Sequence, residues 1–297
     1  LKFMKRTTPM LMGLITVLHL ILPERILPSR RALRRLLSVQ SKLPDNAEHV
    51  SVYSKIAPLY DHMMRHVNYV QWYRYVDSLL NTYAPNPHTL LELACGTGKM
   101  LEKFADNVPV LLGIDRSFDM LKMAQKRLVG KCQNLLLCNA DMRRFAICQP
   151  VDVILCLYDS MNYCMTEDEL LTALHCAHES LRPDGVFIFD VCTRRTCKKY
   201  FNDLQEIDTF ADTEFVRQSR YDNKKNWQIN EFWVQSRDGS HQGYFERHIQ
   251  KIYSLKKIKK LVLSQGRWQI LGIYHNFTRK SGSERSFRVH YVLGKVS

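Results

Sequence analysis

The residues with the most chemistry to offer lie between positions 90 and 165. Gly96 and Gly98 stand directly after the apolar run Thr89–Leu93 and before a stretch of helical character, so they form a strand-to-helix turn. Glycine there has no Cβ to hold a ligand away from the backbone. Asp115 closes the next apolar run 17 positions after Gly98, close to the spacing at which a carboxylate accepts both hydroxyls of a ribose. A dinucleotide is disfavoured, because the full GxGxxG pattern is absent and Leu101 stands where a third glycine or alanine would allow close helix packing. Farther along, Tyr158, Asp159 and Asn162 follow the run Val151–Leu157, at the sheet edge where α/β proteins hold their ligands. These three are the candidates for steering a second substrate, and Asp159 has the chemistry of a general base toward an ammonium group.

Such residues need a frame. Beyond Pro44 the chain alternates apolar strand-like runs with longer helical patterns, the rhythm of an α/β fold with a parallel, doubly wound sheet. The strands are expected at Thr89–Leu93, Val110–Ile114, Asn134–Cys138, Val151–Leu157 and Gly185–Val191, with helices over 97–106, 117–128 and 167–181. Residues 211–255 change character. Three runs there alternate polar and apolar residues around an Asp238-Gly239 turn, which predicts an antiparallel insertion after the fifth strand. A helix over 255–264 follows, its lysines on the wet face and Leu255, Ile258, Leu261 and Val262 on the other. Arg267–Phe277 and Arg285–Lys295 then read as a closing pair of strands.

In order and spacing these segments resemble the motifs of class I S-adenosylmethionine-dependent methyltransferases. Glu92-Leu-Ala-Cys-Gly-Thr-Gly98 is similar to their first motif, Gly113-Ile-Asp115 to the second, Asn139-Ala-Asp141-Met142 to the third and Cys156-Leu-Tyr-Asp-Ser-Met-Asn162-Tyr163 to the fourth. Leu181-Arg-Pro-Asp-Gly-Val-Phe-Ile-Phe-Asp190 resembles the motif on strand five. Tyr60-Asp-His-Met-Met and Asn68-Tyr-Val-Gln-Trp72, with the insertion, narrow the likeness to YqeM-like and sugar-amine N-methyltransferases. The resemblance covers roughly 45–297 and departs from the common pattern at Ala94, where many members have glycine.

The resemblance implies a Rossmann-like sheet of seven strands, an N-terminal helical lid, and S-adenosyl-L-methionine as cofactor. It places Asp115 on the ribose diol and Asp141 on the adenine amino group, with Met142 beside it. Glu92 falls near the methionyl ammonium, and Ala94, Cys95, Gly96, Gly98, Arg116, Met120 and Leu157 fall around the cofactor. Tyr60 and Trp72 would fold over its sulfonium, to which an aromatic face is attracted; for Trp72, ordinary core packing is an equal reading. The acceptor is then a small polar molecule, most readily an amine. A lipid head-group enzyme, an RNA methyltransferase and a non-catalytic partner that only binds S-adenosylmethionine stay open as alternatives.

Composition narrows the rest. Hydrophobic residues make up 45% and charged residues 24%, enough for a packed core and unlike a disordered chain. The nine cysteines are scattered without a CxxC pair, so neither a zinc site nor a disulfide framework follows and a cytoplasmic, reducing location is expected. Of the net +14, +8 falls on residues 1–44, which carry nine Lys/Arg against one acid. No nucleic-acid footprint is expected on the remainder. The arm mixes the apolar run Met10–Leu22 with basic residues and Leu33, Leu36 and Leu37. It is too short in its apolar part to span a bilayer, and reads as a segment lying on an anionic membrane surface or as sequence upstream of the true start.

Overall fold

The computed structural model describes residues 47–237 and 242–296; the basic arm lies outside them. Two sheets are present. The strands in chain order are β1 Glu48–His49, β2 Thr89–Leu93, β3 Val110–Asp115, β4 Asn134–Asn139, β5 Val151–Cys156, β6 Leu181–Cys192, β7 Leu204–Phe210, β8 Thr213–Asp222, β9 Trp227–Ser236, β10 Gly243–Lys251, β11 Trp268–His275 and β12 Arg288–Lys295. The helices are α1 Ala57–Met63, α2 Tyr69–Tyr83, α3 Lys99–Phe104, α4 Phe118–Leu128, α5 Glu167–Ser180, α6 Arg194–Tyr200 and α7 Leu255–Ser264.

The larger sheet has seven strands in the order β11-β12-β6-β5-β2-β3-β4. Strands β2 to β6 pair in parallel, whereas β12 runs antiparallel to both β6 and β11. Strand alternation sends Leu91, Leu93 and Ile154 to a core shared with α5 and α7, and Leu90, Val153 and Leu155 to a core shared with α2, α3 and α4. Both faces are therefore covered, and the expected doubly wound α/β sheet of seven strands is present. Chain order reverses between β2 and β5, so a crevice opens beyond their carboxyl ends, where such sheets bind ligands.

The smaller sheet runs β1-β10-β9-β8-β7, antiparallel except for the β1–β10 pair. Its strands after β6 start at Leu204, earlier than the sequence pattern indicates. In Leu204-Gln-Glu-Ile-Asp-Thr-Phe the apolar residues recur every third position, Leu204 and Ile207 half-buried and Phe210 exposed, so the period-2 signal is missing. Ala211, with φ 48°, makes the turn into β8. Among the described residues no helix is long and apolar enough to cross a membrane.

Candidate functional site

The cavity lies at the reversal point and encloses about 950 Å³, its mouth included. Its floor follows from the sheet order. Glu92 is on β2, Asp115 ends β3 and Asp141 follows β4, and these three strands are adjacent. Neighbouring strands lie about 4.8 Å apart, so the three carboxylates form a row along the sheet edge, and all three line the cavity.

Each acid is held differently. Asp115 is buried, and its oxygens accept the main-chain N–H of Gly96 at 2.8 Å and of Ser117 at 2.8 Å. A carboxylate has about four lone-pair sites, which leaves it capacity for a diol. Burial raises the Asp115 pKa, opposed by those two N–H groups. Asp141 accepts from the guanidinium of Arg143 at 2.9 and 2.6 Å, and this contact lowers its pKa. Glu92 is 4% exposed and its Oε2 has no hydrogen-bond partner. Burial, with the nearby Asp115 charge, pushes its carboxyl up to about 8. An unpartnered buried carboxylate oxygen facing a cavity is expensive unless a ligand supplies a donor.

The glycine turn divides its labour. Ala94 has φ 52° and Gly96 φ 55°, so the loop needs the left-handed region where L-residues are strained, which is the physical reason glycine suits position 94. A Cβ on Gly96 would meet nothing within 4 Å; the backbone there is open to a ligand. Gly98 differs. It does not line the cavity, and a Cβ on it would sit 2.9 Å from Leu128 Cδ1 and 3.2 Å from Ala124 Cβ. Its place is thus the close packing of α3 on α4, the task that the sequence reading looked for at position 101.

Of the other expected cofactor residues, Tyr60, Ala94, Cys95, Arg116, Met120, Met142 and Leu157 also line the cavity. Trp72 does not. It is buried behind Tyr158, ring centroids 4.2 Å apart, with the Arg288 guanidinium 5.2 Å from its ring. Core packing explains it.

The acceptor candidates separate as well. Tyr158 lines the cavity, and its buried hydroxyl has no partner. Asp159 and Asn162 turn away from it. Asn162 is fully buried and spans two segments: its Oδ1 accepts Cys192 N–H at 3.0 Å and its Nδ2 donates to Lys251 O at 2.7 Å. Asp159 meets Arg288 at 2.7 Å and Gln250 Nε2 at 2.7 Å, while Arg288 also pairs with fully buried Asp190. Both carboxylates of this group are raised by burial and restrained by Arg288. A carboxylate tied to a guanidinium and an amide is poorly placed as a base, so Asp159 is a scaffold residue. The consecutive φ values of 57° at Tyr158 and 52° at Asp159 mark a strained turn that these contacts hold.

Tyr53, Lys99 and Arg143 line the cavity without any motif marking them, and Tyr69 and Tyr163, which stand inside motifs but carry no expected role, line it too. Tyr53 Oη lies 2.6 Å from Tyr163 Oη, although 110 positions separate them. No local pattern encodes that contact. Tyr53 precedes α1, which Asp61 fastens to the glycine turn by accepting Thr97 Oγ1 at 2.8 Å and by pairing with Arg127. Helix α1 is thus tied to the glycine turn at the edge of the cavity.

A family profile described as a methyltransferase domain matches residues 90–185. The Bacillus subtilis protein named "Putative methyltransferase YqeM" is 26% identical over 247 residues, covering 82% of this chain and 97% of that protein. The dTDP-3-amino-3,6-dideoxy-alpha-D-glucopyranose N,N-dimethyltransferase of Streptomyces fradiae is 30% identical over 138 residues, 46% of this chain and 52% of that enzyme. Among solved structures, an S-adenosylmethionine-dependent methyltransferase from Clostridium acetobutylicum superposes with a TM-score of 0.68 at 23% identity, covering 82% of this chain and 98% of that one.

Proposed function

We propose that this chain, a class I S-adenosylmethionine-dependent methyltransferase, transfers its methyl group to the amine of a small polar acceptor. The observation that carries the reading is the row of Glu92, Asp115 and Asp141 beneath a wall of tyrosines in one cavity. The row fits the cofactor's own sequence of donors. Glu92 Oε2, without a partner, suits an ammonium; Asp115 has lone pairs to spare for a diol; Asp141 sits at the far end for an exocyclic amine.

When bound, S-adenosylmethionine supplies a methyl group on a sulfonium, which is the hard part of the chemistry. The chain's share is alignment and exclusion of water. Tyr60, Tyr69 and Tyr158 line the cavity with aromatic rings, whose faces attract a sulfonium. Burial raises the pKa of all three phenols, so they remain neutral and do not compete as nucleophiles. Two observations support an amine: the tyrosine wall holds hydroxyls able to accept from N–H groups, and sugar N,N-dimethyltransferases are among the partial-length relatives.

Two measurements test the reading. By titration calorimetry, Asp115→Ala should weaken S-adenosylmethionine by about 1.5–3 kcal/mol, the scale of a lost hydrogen bond to a charged group; unchanged affinity removes Asp115 from the site. Labelled methyl transfer should then be measured to dTDP-3-amino-3,6-dideoxy-alpha-D-glucopyranose, glucosamine, phosphatidylethanolamine vesicles and total transfer RNA. Incorporation into the small amines is expected, and incorporation confined to lipid or RNA would overturn the small-acceptor reading.

A further inference from the structure

Behind the tyrosine wall a chain of hydrogen bonds leads away from the cavity into the smaller sheet. Tyr53 and Tyr163 line the cavity with their hydroxyls 2.6 Å apart. Tyr163 Oη is 3.1 Å from His248 Nδ1, and His248 Nε2 is 3.1 Å from Glu246 Oε2. Glu246 is fully buried, and His248 is 2% exposed.

The direction of the chain follows from its closed end. Glu246 Oε2 accepts Tyr53 N–H at 2.7 Å, and Oε1 accepts Lys55 N–H at 2.6 Å and Ile56 N–H at 3.0 Å. Main-chain N–H groups only donate, so this carboxylate acts as an acceptor, and the Nε2 that faces it carries the proton. A neutral ring then presents Nδ1 as an acceptor. Tyr163 donates to Nδ1, Tyr53 donates to Tyr163, and the lone pairs of Tyr53 Oη are left for the cavity.

We infer that Tyr53, Tyr163 and His248, with Glu246 fixing the ring, form a relay that takes the proton of an ammonium acceptor. The inference rests on the amine reading above and deepens it. An ammonium has no lone pair for attack. As it gives one proton to Tyr53 Oη, Tyr53 passes its own to Tyr163 Oη and Tyr163 passes its own to His248 Nδ1. The freed lone pair forms the new N–C bond while the C–S bond breaks and its electron pair stays on sulfur. The product leaves as a methylammonium, and the imidazolium returns its proton along the same hydroxyls to water once the cavity opens. Tyr53 touches the acceptor; Tyr163, His248 and Glu246 act through it.

The surroundings suit the task. Burial raises both tyrosines, which stay protonated as neutral conduits. Burial lowers His248, Glu246 opposes this, and Arg217 from β8 and Arg116 after β3 lower it further. Phe232 from β9 covers another side, its ring 5.1 Å from the imidazole. The ring is therefore a free base near neutral pH, and Glu246 stabilises the imidazolium that forms only in passing.

The test has two arms. Nitrogen-15 histidine spectra of the full chain at pH 7 should show His248 as the Nε2–H tautomer, with Nδ1 accepting a hydrogen bond that Tyr163→Phe removes. An Nδ1–H tautomer in the wild type overturns the relay. In the second arm, transfer to dTDP-3-amino-3,6-dideoxy-alpha-D-glucopyranose and glucosamine is followed from pH 6 to 10. Tyr163→Phe should lower kcat about 100-fold at pH 7, the usual scale of lost proton transfer, and recover most of it near pH 10, where the free amine already abounds. KM for the cofactor should stay unchanged. His248→Gln should give the same profile if it folds, and Tyr163→Phe alone suffices if it does not. Wild-type transfer that Tyr163→Phe leaves unaltered at pH 7 overturns the relay alone. A wild type that methylates neither amine at any pH overturns the amine reading and the relay's task with it.

Discussion

The two ends of the cavity are built on different principles. On the cofactor side, Glu92, Asp115 and Asp141 come from adjacent parallel strands within one stretch of chain, and polar capacity is left open: Glu92 Oε2 has no partner. On the proposed acceptor side, Asp159, Asn162, Asp190, Gln250 and Arg288 come from distant segments and are held by one another or by main-chain groups, with Asp190 Oδ1 and the Tyr158 hydroxyl left without a partner. In the proposed reading, the first region binds through the acids its fold leaves open, and the second positions Tyr158 and Tyr163 through contacts its fold has already made.

That contrast predicts opposite responses to mutation, and the largest should come from Arg288. Arg288→Met leaves the buried carboxylates of Asp159 and Asp190 without their cation, which should cost about 3–5 kcal/mol of stability. Chemical denaturation checks it. A loss under about 1 kcal/mol would mean that the acceptor side is less interlocked than its contacts show, since that is the range of an exposed ion pair.

The same contrast explains what the sequence revealed. The strand runs Thr89–Leu93 and Val110–Asp115, the glycine turn and Asp115 are local signals, because a parallel strand buried on both faces is a continuous apolar run and its ligand loop follows at once. Gly98 has the place of a site glycine in the turn, yet its φ of 74° and its closeness to Leu128 serve helix packing. Trp72, Asp159 and Asn162 stand in motif positions, and their side chains turn into long-range contacts that no spacing records. Tyr53, Tyr163, Glu246 and His248 meet across 85 to 193 positions, so only the packing of two sheets brings them together.

A middle-sized effect, with the sign reversed, is expected on the cofactor side. The folded Glu92 carboxyl sits at about 8 against an ordinary 4.5. Its neutral form is the one the fold tolerates, so this contribution is fully present below pH 4.5 and lost as pH rises through about 8. Glu92→Gln should therefore stabilise the ligand-free protein at pH 8, where the buried carboxyl is partly charged, and change little at pH 4.5. It should also weaken S-adenosylmethionine, because the amide no longer offers an anion to an ammonium. Thermal melts at the two pH values decide the matter: equal melting shifts at both would show that Glu92 is not the strained group its burial implies.

The smallest effect is expected where the two regions touch, and it sharpens the comparison most. Ser117 belongs to both. Its main-chain N–H holds Asp115 at 2.8 Å, its Oγ caps α4 by accepting Met120 N–H at 3.2 Å, and the same hydroxyl donates to Tyr53 O at 2.7 Å. Ser117→Ala removes the cap and the tether but keeps the N–H that Asp115 needs. Stability should fall by about 1 kcal/mol, the usual cost of an N-cap. Cofactor affinity should stay within about twofold, because a change of 0.4 kcal/mol corresponds to a factor near two and no cofactor-facing group is altered. Acceptor transfer should fall more, since Tyr53 loses the contact that fixes its backbone beside the cavity. Ser117→Thr retains a hydroxyl for both bonds and should restore transfer. If Ser117→Ala instead lowers cofactor affinity and transfer by the same factor, the two regions respond as one body, and the division between an open binding side and an interlocked positioning side does not hold.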